Sequence, residues 1–578
     1  MTTTEKPAQA KADPIMERLL GADGAFEVSK QIIDDAEIRT FKNAPPTLVE
    51  LLNRARDYGD TEFLVQDDQR LTFSDFFERA DQFSAWLIAR PDLKARSVVA
   101  IAMQNAVDWM IAYAGVIFAG GVPALINSRL NGEKLLEQVE DSAAALLVAD
   151  ERRYAALREV GCTLPSVISR LSEKQTVGGA PGVISFEDAR APSGGSSGGS
   201  GPSAASPDDV AVLLFTSGTT GRAKAAALTH RNVVTGVMNT ELARAAIVER
   251  MAEAYGATAE QIAAQMPQAS SLLVFPLFHT SGCNATFLPM LTGGGKVVIM
   301  QKWDPARALD LVAVEAITAL AGVPTMLWDI VNEPSLGERE LPSLRSFSSG
   351  GQALPVNLLN TLQEKFPQAF IGAGYGMTET SGAVSQATGP EYLKYPESAG
   401  RVLPMVDVRI VDDQGNSCAL GDVGEIHVKG AVLMKGYRRA NGELYGKNAD
   451  GWFATGDIGR MNDEGYIFVV DRKTDMVISG GENIYCVEVE QAIKRHPLVE
   501  DAVAFGIPDP RLGEQLVVVA TSANGQDLSV HDLISHSDEN LPAYRRPKQI
   551  SIRSTPFERN AMGKVNKAAL REEFLNQD

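Results

Sequence analysis

The sequence predicts an α/β protein: a large N-terminal domain of layered sheets and helices, followed by a small, mobile C-terminal α+β domain. Three observations predict it. Helical and strand patterns alternate over residues 45–150, as they do in layered parallel sheets. From residue 407 the texture changes to short β runs broken by turns: VDVRIVDDQGN, GEIHVKG and GYIFVVD. A compact tail then reads helix, strand, strand and final helix. At 578 residues the chain exceeds the size at which one core stops growing, so a division is expected. It is placed between 1–471 and 475–578, with a hinge at 472–474.

The elements follow in order. Residues 1–40, acidic and poorly patterned after a polar start, receive no assignment, and MTTTEKPAQAKADP lacks the apolar core of a signal peptide. Residues 73–89 carry apolar side chains at helical spacing; 98–103 and 144–149 read as strands. The segment 109–126, WMIAYAGVIFAGGVPALI, has no charge and is long enough to span a membrane. Gly120, Gly121 and Pro123 interrupt it, so it is expected to be a buried helix running into a strand. No integral membrane segment is expected. PSGGSSGGSGPSAASP (192–207) is a low-complexity loop, after which a strand at 210–215 leads into TSGTTGRAK. Further strands are expected at 271–276, 296–300 and 318–322, and in the tail at 501–506 and 515–520, with helices at 487–495 and 567–575.

Composition narrows the partners. A hydrophobic fraction of 44% and a charged fraction of 22% are ordinary for a soluble globular protein. A formal net charge of -19 argues against nucleic acid and anionic membrane surfaces, but not against phosphate ligands held by local cations and backbone N–H groups. The four cysteines, Cys162, Cys283, Cys418 and Cys486, form no CxxC pair and have no histidine cluster nearby. That excludes a disulfide framework or a zinc site and fits a reducing cytoplasm.

TSGTTGRAK carries the first chemistry. Glycines Gly218 and Gly221 permit backbone geometries that point successive N–H groups into one concavity, which suits a phosphate. Thr216, Ser217, Thr219 and Thr220 add hydroxyl donors, and Lys224 adds a cation. It is not the P-loop of nucleoside triphosphatases, which has four residues between its glycines and Ser or Thr after Lys. A helix or a second strand is expected after it.

Over nearly all of its length this sequence resembles the adenylate-forming superfamily: acyl-CoA synthetases, peptide-synthetase adenylation domains and beetle luciferases. TSGTTGRAK resembles the family's phosphate loop, with Ala223 and Ala225 where Pro and Gly are usual. PLFHTSG resembles the acyl-site motif, which puts His279 in the channel between carboxylate and nucleotide, with Ser281 and Gly282 in the acyl pocket. By the same resemblance Gly322, Gly350, Gly374 and Met377 belong to that pocket, and Gly351 and Gln352 (in SSGGQALP) to the adenine wall. GYGMTET resembles the signature in which Tyr375 stacks on adenine beside Gly376, Thr378 meets phosphate and Glu379 holds Mg²⁺. WFATGDIG and VVDRKTD imply ribose contacts from Asp457 and Arg472.

In the tail, ERNAMGKVNK resembles the motif of the adenylation lysine, here Lys564. DRKTDMVISGGENIYCVEVE resembles the hinge, at Thr474, and the loop lining the CoA thiol tunnel, at Gly480 and Gly481. Cys486 stands where Pro is common and is read as structural.

The resemblance therefore implies ATP, Mg²⁺ and CoA as cofactors and a small-molecule carboxylic acid as substrate. Peptide-synthetase domains carry an Asp in the acyl-site region to pair an ammonium; this chain has none there, which disfavours an amino acid. Gly374 stands where malonate-activating relatives place Arg, and no Trp occurs over 272–290 to narrow the pocket for acetate. A medium- or long-chain fatty acid or an aryl acid such as a cinnamate is expected. The alternatives are transfer to a carrier-protein phosphopantetheine, luciferase-like oxidation of the adenylate, and a catalytically silent nucleotide-binding scaffold. The sequence is compatible with a homodimer.

Overall fold

A computed structural model describes residues 13–169, 182–191, 205–216, 222–350, 354–446, 450–480, 482–522, 528–559 and 564–576. The low-complexity residues 192–204 lie outside these. The alternation over 45–150 resolves into βα units that feed two nine-stranded sheets. In one, the parallel strands Val98–Ala102, Val122–Leu125, Leu146–Asp150 and Ser166–Ser169 adjoin an antiparallel pair, Val210–Thr216 and Lys224–Thr229. In the other, Ser270–Leu273, Lys296–Ile299, Ala319–Gly322, Ser346–Ser349 and Phe370–Met377 are parallel neighbours.

Between them sits the main core. The uncharged segment becomes helix Val107–Phe118 and strand Val122–Leu125, as expected from its interrupting glycines. Trp109 and Tyr113 on that helix are fully buried and stacked at 5.6 Å. Among the described residues no helix is long and apolar enough to cross a membrane. Helix Phe73–Ile88 begins at a capping box in which Thr72 and Asp75 satisfy each other's backbone N–H. Thr229 and Asn232 do the same for helix His230–Tyr255, which follows the glycine loop's second strand.

The unassigned N-terminus is ordered from residue 13. Asp13 caps helix Pro14–Leu20, and hairpin strands Val28–Ile33 and Ala36–Phe41 turn through Asp34 and Asp35, both at positive φ. Arg18 and Asp13 tie this segment to Glu249 and Arg250 on the long helix.

The β-rich region is a four-stranded antiparallel sheet of Val406–Val411, Gly424–Gly430, Phe453–Met461 and Ile467–Arg472. The tail is a small α+β domain. Its five strands include Val499–Asp509, Gly513–Ser522 and Gln549–Arg553, covered by helices Cys486–Lys494, Val530–Asn540 and Lys567–Leu575. Its core, with Val489, Ile493, Val518 and Leu533, is separate from that of the large domain.

Candidate active site

A cavity of about 1730 Å³ opens where the C-terminal ends of the second sheet, the β-rich sheet and the small domain meet. Strand ends supply its floor because backbone pairing stops there and side chains are released toward solvent.

The glycine loop is held at its neck. Thr216 pairs with Lys224 in antiparallel register, so the loop is closed by a hairpin. Ser217, Gly218, Thr219, Thr220 and Gly221 lie outside the described residues. Thr216, Arg222 and Lys224 line the cavity, and Arg222 pairs with Asp141 at 2.6 Å. Lys224 Nζ stands 5.1 Å from the centre of the Tyr437 ring.

The motifs distant in sequence converge here. Tyr375, Gly376, Met377, Thr378 and Glu379 line the cavity at the end of strand Phe370–Met377. The Tyr375 phenol donates to Asp457 Oδ2 at 2.7 Å, and Arg472 Nε is 3.1 Å from Asp457 Oδ1. Adjacent strands explain that pair, since Asp457 and Arg472 are cross-strand partners. Asp457 is buried and Arg472 half-exposed. Tyr437 donates to Glu379 Oε1 at 2.5 Å; burial, then the Glu379 charge, push this phenol up.

Lys564 reaches the same cavity from the small domain. Burial, and after it the Arg472 guanidinium, pull its ammonium below the usual lysine range, while Asp457 and Asp475 oppose them. Across the cavity, burial and then the Lys564 charge hold the His279 imidazole down at about 4. His279 caps a short helix, accepting at Nδ1 from Ser281 N–H at 3.2 Å.

Other expected residues fall differently. Ser281, Gly350 and Gly374 line the cavity, but Gly282 and Gly322 do not. A side chain at Gly282 would stand 2.1 Å from the Pro276 carbonyl oxygen, so this glycine permits a close backbone approach behind the wall. Gly322 is buried within the sheet, paired with Ser349. At Gly374 a Cβ would come within 3.0 Å of the Ser385 carbonyl oxygen, so strand pairing restricts this position as well as the space for an acyl group. Gly351, Gln352 and Gly481 lie outside the described residues. Gly480, at φ 62, turns a hairpin of the small domain and does not line the cavity.

Thr474 lines the cavity just after strand Ile467–Arg472 and is exposed. Beside it, buried Asp471 accepts from Val487 N–H of the small domain at 3.4 Å. Cys486 is buried, its thiol pushed up by burial and donating to the Asp475 carbonyl, which agrees with a structural role. Sequence reasoning missed Tyr437, Asn284 and Ser381. Tyr437 sits on a short strand with no motif texture, and pairing of that strand with Lys224–Thr229 brings it to the cavity. Asn284 and Ser381 lie just past the PLFHTSG and GYGMTET motifs, which pointed to their segments.

Comparison with known proteins agrees with this geometry. The family model described as AMP-binding enzyme matches residues 51–438, and that described as AMP-binding enzyme C-terminal domain matches 488–564. A methyl-dioxo-octahydroindenyl propanoyl:CoA ligase from Rhodococcus jostii is 34% identical, over 92% of this chain and 99% of that one. A 2-succinylbenzoate–CoA ligase from Bacillus velezensis is 31% identical, over 90% and 97% respectively. An o-succinylbenzoate CoA synthetase from Bacillus subtilis, solved with its acyl-adenylate intermediate, superimposes with a TM-score of 0.72 at 27% identity, covering 90% of this chain and 97% of that one. With both of its domain models matched in order, the chain belongs to the AMP-binding enzyme family.

Proposed function

We propose that the acid activated by this AMP-forming acid–CoA ligase is large: an aryl or other ring-bearing acid, ahead of a medium- or long-chain fatty acid. The observation that carries the reading is the single cavity on which Tyr375, Glu379, Asp457, Arg472, His279 and Lys564 converge from both domains. Ser281 and Ala285 keep its acyl side open, and two relatives bear names of ring-containing acids.

In the first half-reaction Lys224 and the glycine loop bind the β- and γ-phosphates, and Tyr375 stacks on adenine. Asp457 is acceptor-only with several lone pairs, so it receives ribose hydroxyls as well as Tyr375 and Arg472. The donor set fits Mg²⁺: one carboxylate, Glu379, beside space for phosphate oxygens, the usual way this hard ion is held. Glu379 would hold it, and when bound it neutralises charge on the departing pyrophosphate. A carboxylate oxygen of the acid attacks the α-phosphorus and the bond to pyrophosphate breaks. The Lys564 ammonium meets the negative charge that builds on the surrounding oxygens, in a site dry enough for that to count. Neutral His279 walls the channel without adding charge.

In the second half-reaction the small domain turns at 472–474, withdraws Lys564 and brings Gly480 and Gly481 to the cavity. The CoA sulfur attacks the acyl carbonyl carbon, AMP leaves, and the thiol proton passes to solvent. The cytoplasm is the proposed location, supported by free cysteines, three of them buried.

A pyrophosphate-release panel over carboxylic acids, with and without CoA, tests the reading. Release with ring-bearing acids and CoA thioester formation are expected. Release without thioester would move the acceptor to a carrier protein, and no release with any acid would favour a silent scaffold.

A further inference from the structure

The segment that carries Lys564 is fixed to the small domain by packing and by a charge pair. Lys567, three residues on, opens helix Lys567–Leu575, whose start is capped by Asn566 accepting from Ala569 N–H at 3.2 Å. Leu570 on that helix is buried with Val503 and Phe505 of strand Val499–Asp509, and Val565 packs against the same cluster. The segment from Val565 onward therefore moves with the small domain. Lys567 Nζ is buried and stands 2.8 Å from Glu490 Oε1 on helix Cys486–Lys494. Glu490 Oε1 also accepts from Ala504 N–H at 2.9 Å, and no other partner takes the Lys567 donors among the described residues.

A second carboxylate acts on this ammonium from the large domain. Asp471, 2% exposed, lies in strand Ile467–Arg472, immediately before the proposed hinge. Its Oδ1 accepts from Arg472 N–H at 2.7 Å and its Oδ2 from Val487 N–H at 3.4 Å. Val487 and Glu490 are three residues apart on one helix and so share a face. Asp471, Val487, Glu490 and Lys567 all line the cavity. Burial pushes the Asp471 carboxyl up to about 6; the Lys567 charge is the largest influence against this, ahead of the Arg472 N–H, while Glu490 and Asp475 add to it. Burial opposes the Lys567 ammonium too, but Glu490, then Cys486 and Asp471, hold it above the usual lysine range.

Of the two carboxylates, Glu490 travels with Lys567 and Asp471 does not. Resting on the two-step ligase reading, we propose that Lys567 is a positioning residue for adenylation: its attraction to Asp471 across the domain boundary holds Lys564 in the cavity, and turning at 472–474 separates the pair. A buried carboxylate that loses its cation is costly, whereas an exposed surface pair contributes little. The attraction between Lys567 and Asp471 therefore favours the first arrangement alone, while the Lys567–Glu490 pair is common to both. Such a contact shifts a two-state element by as much as the two states differ in it. Lys567 does not touch the reacting atoms; it acts through the place it gives to Lys564.

A double-mutant cycle tests this, read by pyrophosphate release with the fastest acid of the panel and by thioester formation from that acid's preformed acyl-AMP. Asp471→Asn and Lys567→Met should each reduce pyrophosphate release by about tenfold or more, the scale of a coupling between separate states, and leave thioester formation within about threefold. The double variant should lose no more than the worse single one, as expected when two residues act through one contact. Asp471→Asn keeps the Lys567–Glu490 pair in place, so it is the variant that misfolding of the small domain does not confuse. Equal losses in both assays, or additive losses in the double variant, overturn the proposal. Lys564→Ala separates the two readings: if it splits the assays and Asp471→Asn does not, only the role of Lys567 falls. If Lys564→Ala fails to split them, or no acid releases pyrophosphate, the two-step reading falls and this proposal with it.

Discussion

At the residue scale the site is a set of charges whose values are set by burial and by each other. Lys564 is held below its usual range by desolvation and by Arg472, and in the proposed mechanism it meets the negative charge that develops in adenylation. Lys564→Ala is therefore expected to reduce pyrophosphate release by about 10² or more, the cost of losing one such stabilising group. Thioester formation from supplied acyl-AMP should be largely spared; equal loss in both assays would contradict separate uses of the lysine. Tyr437 donates to Glu379 Oε1 at 2.5 Å, and in the proposed mechanism it acts through Glu379 as the residue that would hold Mg²⁺. Tyr437→Phe should raise the Mg²⁺ concentration for half-maximal activity by about tenfold, as loss of an outer hydrogen bond to a metal ligand does. A Mg²⁺ titration showing no change would assign Tyr437 to packing against Lys224 alone. Lys564 was legible from its motif and Tyr437 was not, because a lone tyrosine on a short strand has no pattern.

At the element scale, helix starts carry much of the positioning. His230 opens the long helix that walls the acyl side, and its Nδ1 accepts from Leu48 N–H, the first residue of helix Leu48–Asn53. Burial holds this imidazole down at about 4 from its ordinary 6.5. The unfolded chain takes up the proton first, so the contribution is fully present above about pH 6.5 and is lost as pH falls toward 4. Its size is at most about 3 kcal/mol. His230→Gln keeps an acceptor without a titration, so its melting temperature should fall less steeply than wild type between those pH values. Parallel slopes would mean that other groups set the acid limit.

Elements with strong period were legible: helices Val107–Phe118 and Lys567–Leu575 and the strands before the glycine loop. The N-terminal helix and hairpin were not, since they are short and bury only a few apolar residues, such as Ile15, Leu19, Ile38 and Phe41, with pairs such as Asp13 with Arg250 and Arg39 with Asp407 fixing them to distant elements.

At the scale of the whole molecule, the structure places Lys564 in the cavity while Gly480 does not line it, an arrangement suited to the first half-reaction. Turning at 472–474 has to break the Val487–Asp471 contact and the exposed Arg495–Glu397 pair, 3.3 Å apart, both modest interactions. Thr474→Pro, which stiffens the backbone there, should leave adenylation within about threefold and slow thioester formation by about tenfold or more. Rapid-quench assays of the two steps would reveal this split, and an equal effect on both would place the hinge elsewhere.

By itself the sequence determined the α/β class and the order of domains, and it singled out Glu379, Asp457, Arg472 and Lys564, which the structure brings to one cavity. Those depend on local motifs, and motifs are short-range. Only the tertiary structure decided that Gly282 packs against backbone and that Gly322 lies inside a sheet. It also brought Tyr437 to Glu379 and left Asn284 Oδ1 and Ser381 Oγ with no hydrogen-bond partner among the described residues. The reason is physical: which polar atoms are satisfied depends on neighbours brought together by the fold, such as Tyr437 and Glu379, 58 residues apart in sequence, and no local pattern encodes the absence of a partner.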